Sequence, residues 1–369
     1  MIYFDHNATT PVDERVVEAM LPYLKTFYGN PSSLYRAGRI VRSAIDTARE
    51  QVAALVGVTP AQIIFTSGGT EANNLALRAL STGSKIAVSA IEHPSVIEPA
   101  LKNGHNEGVS ISVDENGLIS PYALEKVVQS SNSPALISVM LANNENGVIQ
   151  DIAGIASFLK GKQLSLHTDA VQAVGKIPVS FSQLGVDLMS LSSHKIYGPK
   201  GCGALVMGKG IDIEPMLVGG GQERGWRAGT ENVAGIVGFG KAAELALQEL
   251  EQRTDHMLTL RNKLELGLKE ILGLVIFSER VERLPNTVFI GLHGIDGEML
   301  LMQLDQKDIA VSSGSACASA GGKSSPVLAA MGVDQQLAKS AIRVSLGKDN
   351  TESEVDEFNE VLKSIVNNL

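Results

Sequence analysis

One lysine, Lys195, lies a few residues after an apolar segment that is typical of a buried strand. It lies in Ser192–Gly201 (SSHKIYGPKG), after Asp187–Leu191, and a turn rich in glycine and proline comes next. A lysine that is partly removed from water can lose its proton and form a Schiff base with a carbonyl cofactor. Most lysines beside a loop are ordinary surface residues, so this segment alone leaves both interpretations open.

A glycine turn leads into a helix at Thr66–Glu71 (TSGGTE), where a second strand-like segment ends. The start of a helix presents free N–H groups and the positive end of the helix dipole, which together favour an anion such as phosphate. Gly69 lies in the turn, and Thr70 adds a hydroxyl donor. The segment matches neither the Walker A motif nor GxGxxG, so it does not indicate a nucleotide. When such a segment stands alone, an ordinary helix start is the commoner explanation.

An aspartate follows a third apolar segment, in His167–Gln172 (HTDAVQ). A carboxylate at a strand end can pair with a pyridine nitrogen and keep it protonated, and the charged ring then acts as an electron sink. Gln172 would hydrogen-bond the phenolic oxygen of the same ring, although Asp169 could merely cap a helix. The order of phosphate loop, aspartate and lysine, each after its own strand, favours a site for pyridoxal phosphate (PLP).

Two further polar residues follow strand-like segments. His93, in EHPS, would stack on the cofactor ring and shuttle protons, although a lone histidine is usually structural. Asn144, in NNE, would bind a substrate carboxylate or the ring oxygen, although asparagine is also common in turns.

Cys317 lies in a segment of small residues, SSGSACASAGGKSS, at 312–325. Such a composition is typical of a flexible linker, but a linker has no use for an oxidisable thiol, so a mobile loop carrying a nucleophile is favoured. Cys202, between glycines, is expected to be an ordinary buried residue. Arg343 lies within an alternating apolar strand, and a half-buried arginine needs an anion, either a substrate carboxylate or an internal acid.

Composition excludes several classes of function. With a net charge of −9 and no basic cluster, nucleic acid is not expected as a partner. The chain shows no apolar segment long enough to cross a bilayer and no secretory signal, so we expect neither a membrane protein nor a secreted one. The two cysteines lie far apart and form no disulfide framework and no metal or redox pair, which fits a reducing cytoplasm. We expect no metal site.

The pattern of the chain predicts an α/β fold. Short strands that are apolar throughout alternate with helices, which indicates a mostly parallel sheet covered on both faces. Ligands of such sheets bind at the carboxyl ends of the strands, where most of the candidate residues lie. The seven strands are expected at 63–66, 85–89, 109–113, 135–141, 164–168, 187–192 and 203–207.

The pattern changes after a largely helical stretch at 231–272, and a second, smaller α+β domain is predicted there. We expect a large cofactor-binding domain at 15–256 and a small domain formed by 1–14 and 257–369, with residues 1–10 extended. The strands of the small domain are expected at 274–277, 287–291, 309–312 and 341–346, and its helices around 297–304, 326–331 and 352–366.

The chain resembles a cysteine desulfurase of the NifS/IscS type, in the class V branch of the PLP-dependent aminotransferases of fold type I. The resemblance covers nearly the whole chain and rests on motifs that occur in the same order. They are YFD at 3–5, ATTP at 8–11, YGNPSS at 28–33, GGTEANN at 68–74, EH at 92–93, NNE at 143–145, DAVQ at 169–172, SSHKIYGPKG at 192–201, GGGQERGWRAGTEN at 219–232, SSGSACAS at 312–319 and RVS at 343–345.

The resemblance implies roles around the cofactor ring and the substrate. Lys195 would hold PLP covalently, Asp169 would pair with the pyridine nitrogen, and Gln172 with the ring oxygen. His93 would stack on the ring. The substrate carboxylate would be held by Asn144 and Arg343, and the nucleophile would be Cys317.

The resemblance also implies how the phosphate is bound. Thr70, Ser192 and His194 would bind it beside Gly69, which stands where the family usually has alanine. Thr230 would reach the phosphate of the neighbouring subunit, which implies a homodimer.

The implied reaction removes sulfur from L-cysteine and gives L-alanine and a persulfide on Cys317. The sulfur would pass to an acceptor protein such as an iron–sulfur scaffold, in the cytoplasm. A cysteine β-lyase that yields pyruvate, or a selenocysteine lyase, remains open on the same fold. Cys317 argues against a plain lyase, because that reaction needs no protein thiol.

Overall fold

The computed structural model describes residues 1–78, 85–102, 108–130, 134–313 and 324–368. The strands are β1 Ile2–Tyr3, β2 Ile63–Thr66, β3 Ile86–Ser89, β4 Val109–Ile111, β5 Leu136–Ser138, β6 Ser165–Asp169, β7 Leu188–Ser192, β8 Gly203–Met207, β9 Leu274–Ile276, β10 Thr287–Leu292, β11 Ile309–Ala310, β12 Ser312–Ser313 and β13 Ile342–Ser345. The helices are α1 Glu14–Lys25, α2 Arg36–Leu55, α3 Gly69–Leu77, α4 Pro94–Lys102, α5 Pro121–Val128, α6 Ile152–Leu159, α7 Phe181–Leu184, α8 Val233–Gln248, α9 Leu250–Leu268, α10 Gly297–Asp305, α11 Pro326–Ala330, α12 Gln335–Lys339 and α13 Glu352–Asn367.

The largest sheet has seven strands in the order β2-β8-β7-β6-β5-β3-β4. β8 runs antiparallel to both of its neighbours, and the other neighbouring strands are parallel. Every residue of β2, β3, β5, β7 and β8 is buried, which explains why these segments are largely apolar. The predicted mostly parallel seven-stranded sheet is therefore confirmed, although β4 and β5 are shorter than expected.

Successive side chains of this sheet pack into different helical layers, as the two-residue period of a strand requires. Ile64 of β2 belongs to the same buried cluster as Leu75 of α3. Its neighbour Ile63 belongs to the opposite cluster, with Val52 of α2 and Phe239 of α8. Because both faces are covered, the strand ends are where the sheet can receive a ligand.

The chain beyond α8 forms a second, antiparallel sheet in the order β12-β13-β10-β9. Leu264 of α9, Val288 of β10 and Phe358 of α13 lie in its core. The N-terminal strand β1 pairs in parallel with β11, so residues from both chain ends meet here. The domain limits given above stay a prediction, and residue 256 lies within α9.

Three local expectations need correction. Residues 1–10 are not extended throughout, because the chain turns after β1 and the Ala8 N–H donates to the Asp5 carbonyl at 3.0 Å. The helical stretch at 231–272 is interrupted at Glu249, which separates α8 from α9. The strand expected at 309–312 is two strands, since β11 pairs with β1 while β12 pairs with β13.

Across the described ranges, no helix has both the length and the apolar character that spanning a membrane would require.

Candidate active site

Most of the candidate residues surround one cavity of about 420 Å³ at the carboxyl edge of the large sheet. Asp169 ends β6, Ser192 ends β7, and Lys195 lies three residues further on. The cavity therefore lies where parallel sheets usually bind ligands. The candidate residues that line it are Gly69, Thr70, His93, Asn144, Asp169, Gln172, Ser192, His194, Lys195 and Arg343.

Lys195 is held at the cavity by the N-terminal turn. It ends a single 3-10 turn, Ser193–Lys195, directly after β7. Its Nζ donates to the carbonyl oxygen of Ala8 at 2.7 Å and to that of Asn7. The turn that replaces the expected N-terminal extension thus positions the amine.

Asp169 is buried and its orientation is fixed by two donors. Asn73 Nδ2 donates to its Oδ2 at 2.7 Å, and the Val171 N–H donates to its Oδ1 at 2.9 Å. The second contact means that Asp169 also caps the turn that follows β6. The structure is therefore compatible with Asp169 as the partner of a pyridine nitrogen and with Asp169 as a cap.

Gln172 is oriented by a buried lysine. Lys176 Nζ donates to Gln172 Oε1 at 2.8 Å, and the Gln172 amide nitrogen donates to the carbonyl of Asn7 at 2.9 Å. Lys176 also donates to Asn7 Oδ1 at 2.9 Å. Burial holds the pKa of Lys176 well below its usual value, and the charges of Lys195 and Arg343 act in the same direction. Oε1 of Gln172 accepts from Lys176 and one amide hydrogen goes to Asn7, so the second amide hydrogen is the donor available to the cavity.

The start of α3 forms one end of the site. Thr70, Ser192, His194 and Lys200 line a cavity of about 430 Å³ there. Ser192 Oγ is buried and has no hydrogen-bond partner among the described residues. Burial, together with the charges of Lys195 and Lys200, lowers the pKa of His194 to about 4, so His194 is neutral near pH 7.

His93 directly precedes α4 and lines the cavity, and its ring is contacted by Ser95. The Ser95 N–H donates to His93 Nδ1 at 3.1 Å, and Ser95 Oγ lies 2.7 Å from the same nitrogen. Burial lowers the pKa of His93, while Asp169 acts to raise it and Lys195 to lower it.

Arg343 of β13 is more deeply buried than expected, with 4% of its surface exposed. Its Nη2 pairs with Asp5 Oδ1 at 2.6 Å, and its Nη1 donates to the carbonyl oxygen of Asn144 at 3.0 Å. Its Nε has no hydrogen-bond partner within the described ranges. The internal acid that the sequence left as one alternative is therefore present, and the guanidinium keeps further N–H donors beyond these two contacts.

The structure does not bring Thr230 into this cavity. Thr230 is exposed and lines a separate cavity of about 250 Å³ with Ser67 and Gly201. Cys317 lies outside the described residues. Cys202 is buried, as expected, and burial raises the pKa of its thiol to about 12.

Sequence reasoning missed six polar residues of the site, which are Asn7, Asn73, Glu92, Ser95, Glu145 and Lys176. Burial raises the pKa of Glu92 to about 8 and that of Glu145 to about 7. Both acids adjoin residues that were singled out, and Lys176 lies four residues beyond Gln172. The polar run DHNATT at 5–10 was the available signal for Asn7.

These residues fit PLP. The unpartnered Ser192 hydroxyl and the start of α3 provide donors for a phosphate. Asp169 offers a carboxylate to a pyridine nitrogen, and Lys195 offers an amine in the same cavity. A Cβ at Gly69 would lie 3.0 Å from Val171 Cγ2, so the glycine keeps this end of the cavity open.

The chain belongs to the aminotransferase class-V family, whose model matches residues 2–358. Enzymes of this family depend on PLP, and the α/β fold described above is the one that they share.

Among curated relatives, the chain is similar to a cysteine desulfurase IscS of Methanosarcina thermophila, with 44% identity covering 100% of this chain and 92% of the relative. It is also similar to a cysteine desulfurase IscS of Dictyoglomus turgidum, with 43% identity covering 100% and 95% of the two chains. A solved NifS-like protein from Rickettsia africae superposes with a TM-score of 0.92 at 39% identity, covering 100% of both chains.

Proposed function

We propose that this protein is a PLP-dependent cysteine desulfurase, which removes sulfur from L-cysteine and leaves L-alanine. One observation carries the proposal: Lys195, Asp169 and Arg343 meet in one cavity, in a chain whose full length matches cysteine desulfurases. A further similar structure, described as SspA in complex with cysteine, has a TM-score of 0.82 at 29% identity and covers 95% of this chain and 100% of that one.

Different residues of the chain would bind different parts of the cofactor. Lys195 would hold its aldehyde carbon, Asp169 would pair with the pyridine nitrogen, and the Gln172 amide would pair with the ring oxygen. When bound, PLP withdraws electrons from the α-carbon of the substrate. The residues assigned to the phosphate are Gly69, Thr70, Ser192 and His194.

The remaining groups act on the substrate. Arg343 and Asn144 orient the carboxylate of L-cysteine, and the amine of Lys195 takes the α-proton. The thiolate of Cys317 attacks the substrate sulfur and forms an S–S bond. The C–S bond breaks, its electron pair stays with carbon, and that carbon takes a proton to become the methyl group of alanine. The Lys195 amine returns a proton to the α-carbon. The sulfur is left as a persulfide on Cys317.

The proposal includes the oligomeric state, the cellular compartment and the sulfur acceptor. The enzyme acts as a cytoplasmic homodimer, and Thr230 reaches the phosphate in the site of the neighbouring subunit. This assignment is supported by the position of Thr230, which is exposed and lies outside the cavity that holds Lys195 of the same subunit. The persulfide passes to an acceptor protein such as an iron–sulfur scaffold.

The persulfide step can be tested with L-cysteine labelled with ³⁵S. We expect radioactive sulfur on the holoenzyme that dithiothreitol releases, and we expect none on a Cys317→Ala variant. Cys202→Ala is the matched control, because it removes the buried thiol and should leave the label in place.

Equal labelling of the Cys317→Ala variant would contradict the proposed nucleophile. An unlabelled wild type that forms pyruvate would instead identify a β-lyase. A strong preference for L-selenocysteine in a parallel reaction would identify a selenocysteine lyase.

A further inference from the structure

Two side chains, those of Asn73 and Ser95, link Asp169 to His93. Asn73 Nδ2 donates to Asp169 Oδ2 at 2.7 Å and to Ser95 Oγ at 2.9 Å. Ser95 in turn contacts His93 Nδ1 through its hydroxyl at 2.7 Å and its backbone N–H at 3.1 Å. Asn73 and Ser95 are buried, and neither was among the site residues predicted from the sequence.

The direction of each hydrogen bond in this chain is determined by its two ends. An ionised carboxylate accepts hydrogen bonds, so the Asn73 atom that faces Asp169 is the amide nitrogen. The same nitrogen faces Ser95 Oγ, which therefore accepts from it. The one proton of the Ser95 hydroxyl is then directed at His93 Nδ1.

His93 Nδ1 consequently faces two donors, the hydroxyl and the backbone N–H of Ser95. A backbone N–H cannot become an acceptor, so a proton on Nδ1 would face another proton with no alternative partner. The neutral ring must therefore carry its one proton on Nε2, and the doubly protonated cation is disfavoured by the same contact.

We propose that Ser95 and Asn73 are positioning residues that hold His93 in the neutral form with its proton on Nε2, so that His93 acts as a fixed hydrogen-bond donor and not as a proton shuttle. The role of hydrogen-bond donor replaces the role of proton shuttle that the sequence predicted for His93. The position of the His93 ring at the cavity stays the same. Proton transfer in the reaction then falls to Lys195.

The charges around His93 leave this arrangement intact. Asp169 at the end of β6 favours the cation, whereas Lys195 after β7 and burial of the ring oppose it, and the pKa is lowered overall. Glu92, beside His93 in the chain, turns Oε1 toward the Ser89 hydroxyl and the Met140 N–H. Burial raises the pKa of Glu92 to about 8, so this neighbour is largely uncharged near pH 7.

The tautomer can be measured directly by nitrogen NMR of the PLP-loaded protein labelled with ¹⁵N-histidine. The chain has seven histidines, and a His93→Gln variant assigns the signal by its absence. We expect an unprotonated Nδ1 and a protonated Nε2 for His93, with no change between pH 6 and 8.5. Exposed His293 provides a reference for a ring open to water.

Ser95→Ala separates the two donors. It removes the hydroxyl and keeps the backbone N–H, so we expect the Nδ1 resonance to shift while the proton stays on Nε2. A proton on Nδ1 of the wild type, or a cationic His93 within this pH range, would overturn the inference.

A kinetic comparison tests the consequence for the reaction and rests on the proposed function. Glutamine at position 93 supplies an N–H donor but has no nitrogen that titrates, and leucine supplies neither. We expect His93→Gln to lose less than about tenfold in kcat and His93→Leu at least about 100-fold, the lower limit for removing one preorganised hydrogen-bond donor. Equal losses of that size in both variants would restore the proton shuttle. If L-cysteine is not the substrate, the NMR result still decides the tautomer.

Discussion

Glu223 anchors the loop that carries Thr230, and its removal is expected to destabilise the protein strongly. Its carboxylate forms a bidentate pair with the guanidinium of Arg49, with N–O distances of 2.7 and 2.6 Å. It also accepts from the Phe65 N–H at 2.9 Å. The pair is buried, with 10% of the Arg49 side chain and 3% of the Glu223 side chain exposed. The backbone of Glu223 has a φ of 45°, in the left-handed region that ordinary residues rarely adopt.

Glu223→Gln keeps the size of the side chain and removes its charge, so Arg49 is left as a buried cation without an anion. Removing one partner of a buried pair costs roughly 3 to 5 kcal/mol, because the desolvated charge that remains is not compensated. The amide oxygen can still accept one hydrogen bond, which places the expected loss near 3 kcal/mol. Arg49→Met combined with Glu223→Gln should cost less than the sum of the two single variants.

The free energy of unfolding can be compared by urea denaturation of the PLP-loaded proteins at one protein concentration, followed by circular dichroism. Glu270→Gln is the matched control, since Glu270 pairs with Lys363 on the surface and 68% of its side chain is exposed. We expect that control to cost less than about 1 kcal/mol. A Glu223→Gln variant as stable as the control would refute the reasoning.

The other predictions concern the cofactor, the pyridine partner and pH. Lys195→Ala should bind PLP without a covalent bond, so borohydride reduction followed by denaturation should leave the cofactor on the wild type and not on the variant; retention on both would contradict the role of Lys195. Asp169→Asn should keep bound PLP and lose at least about 100-fold in alanine formation, since it removes a charge that stabilises the transition state; a loss below tenfold would exclude that role. Glu92 is protonated in the folded state, because its pKa is raised from 4.5 to about 8. Its contribution to stability is present below pH 4.5 and is lost as the pH rises through 8, at a cost of at most about 5 kcal/mol. Glu92→Gln should flatten this decline in urea denaturation curves between pH 5 and 8, and an unchanged decline would refute the assignment.

Much of the sheet was predictable because its strands are buried on both faces. Such strands are largely apolar along their length, so β2, β7 and β8 can be recognised from their residues alone. The same architecture gives the order in which polar residues follow strand ends. This is why Asp169 and Lys195 could be paired before their contacts were known.

The contacts that orient these residues were not predictable, because they join distant parts of the chain. Lys195 is held by carbonyl oxygens 187 and 188 residues away. Arg343 pairs with Asp5 across 338 residues. No periodic pattern encodes such pairs, and the N-terminal run was therefore expected to be extended. The sequence also contains no signal for the proton position on His93, which depends on a backbone N–H.

The assignment as a desulfurase is tested most directly by the products formed from L-cysteine and a thiol reductant. Alanine and sulfide should be released by the PLP-loaded protein in equal amounts, with no pyruvate. Pyruvate and ammonia formed in step with sulfide would contradict the account, because they would show that the substrate loses sulfur by elimination.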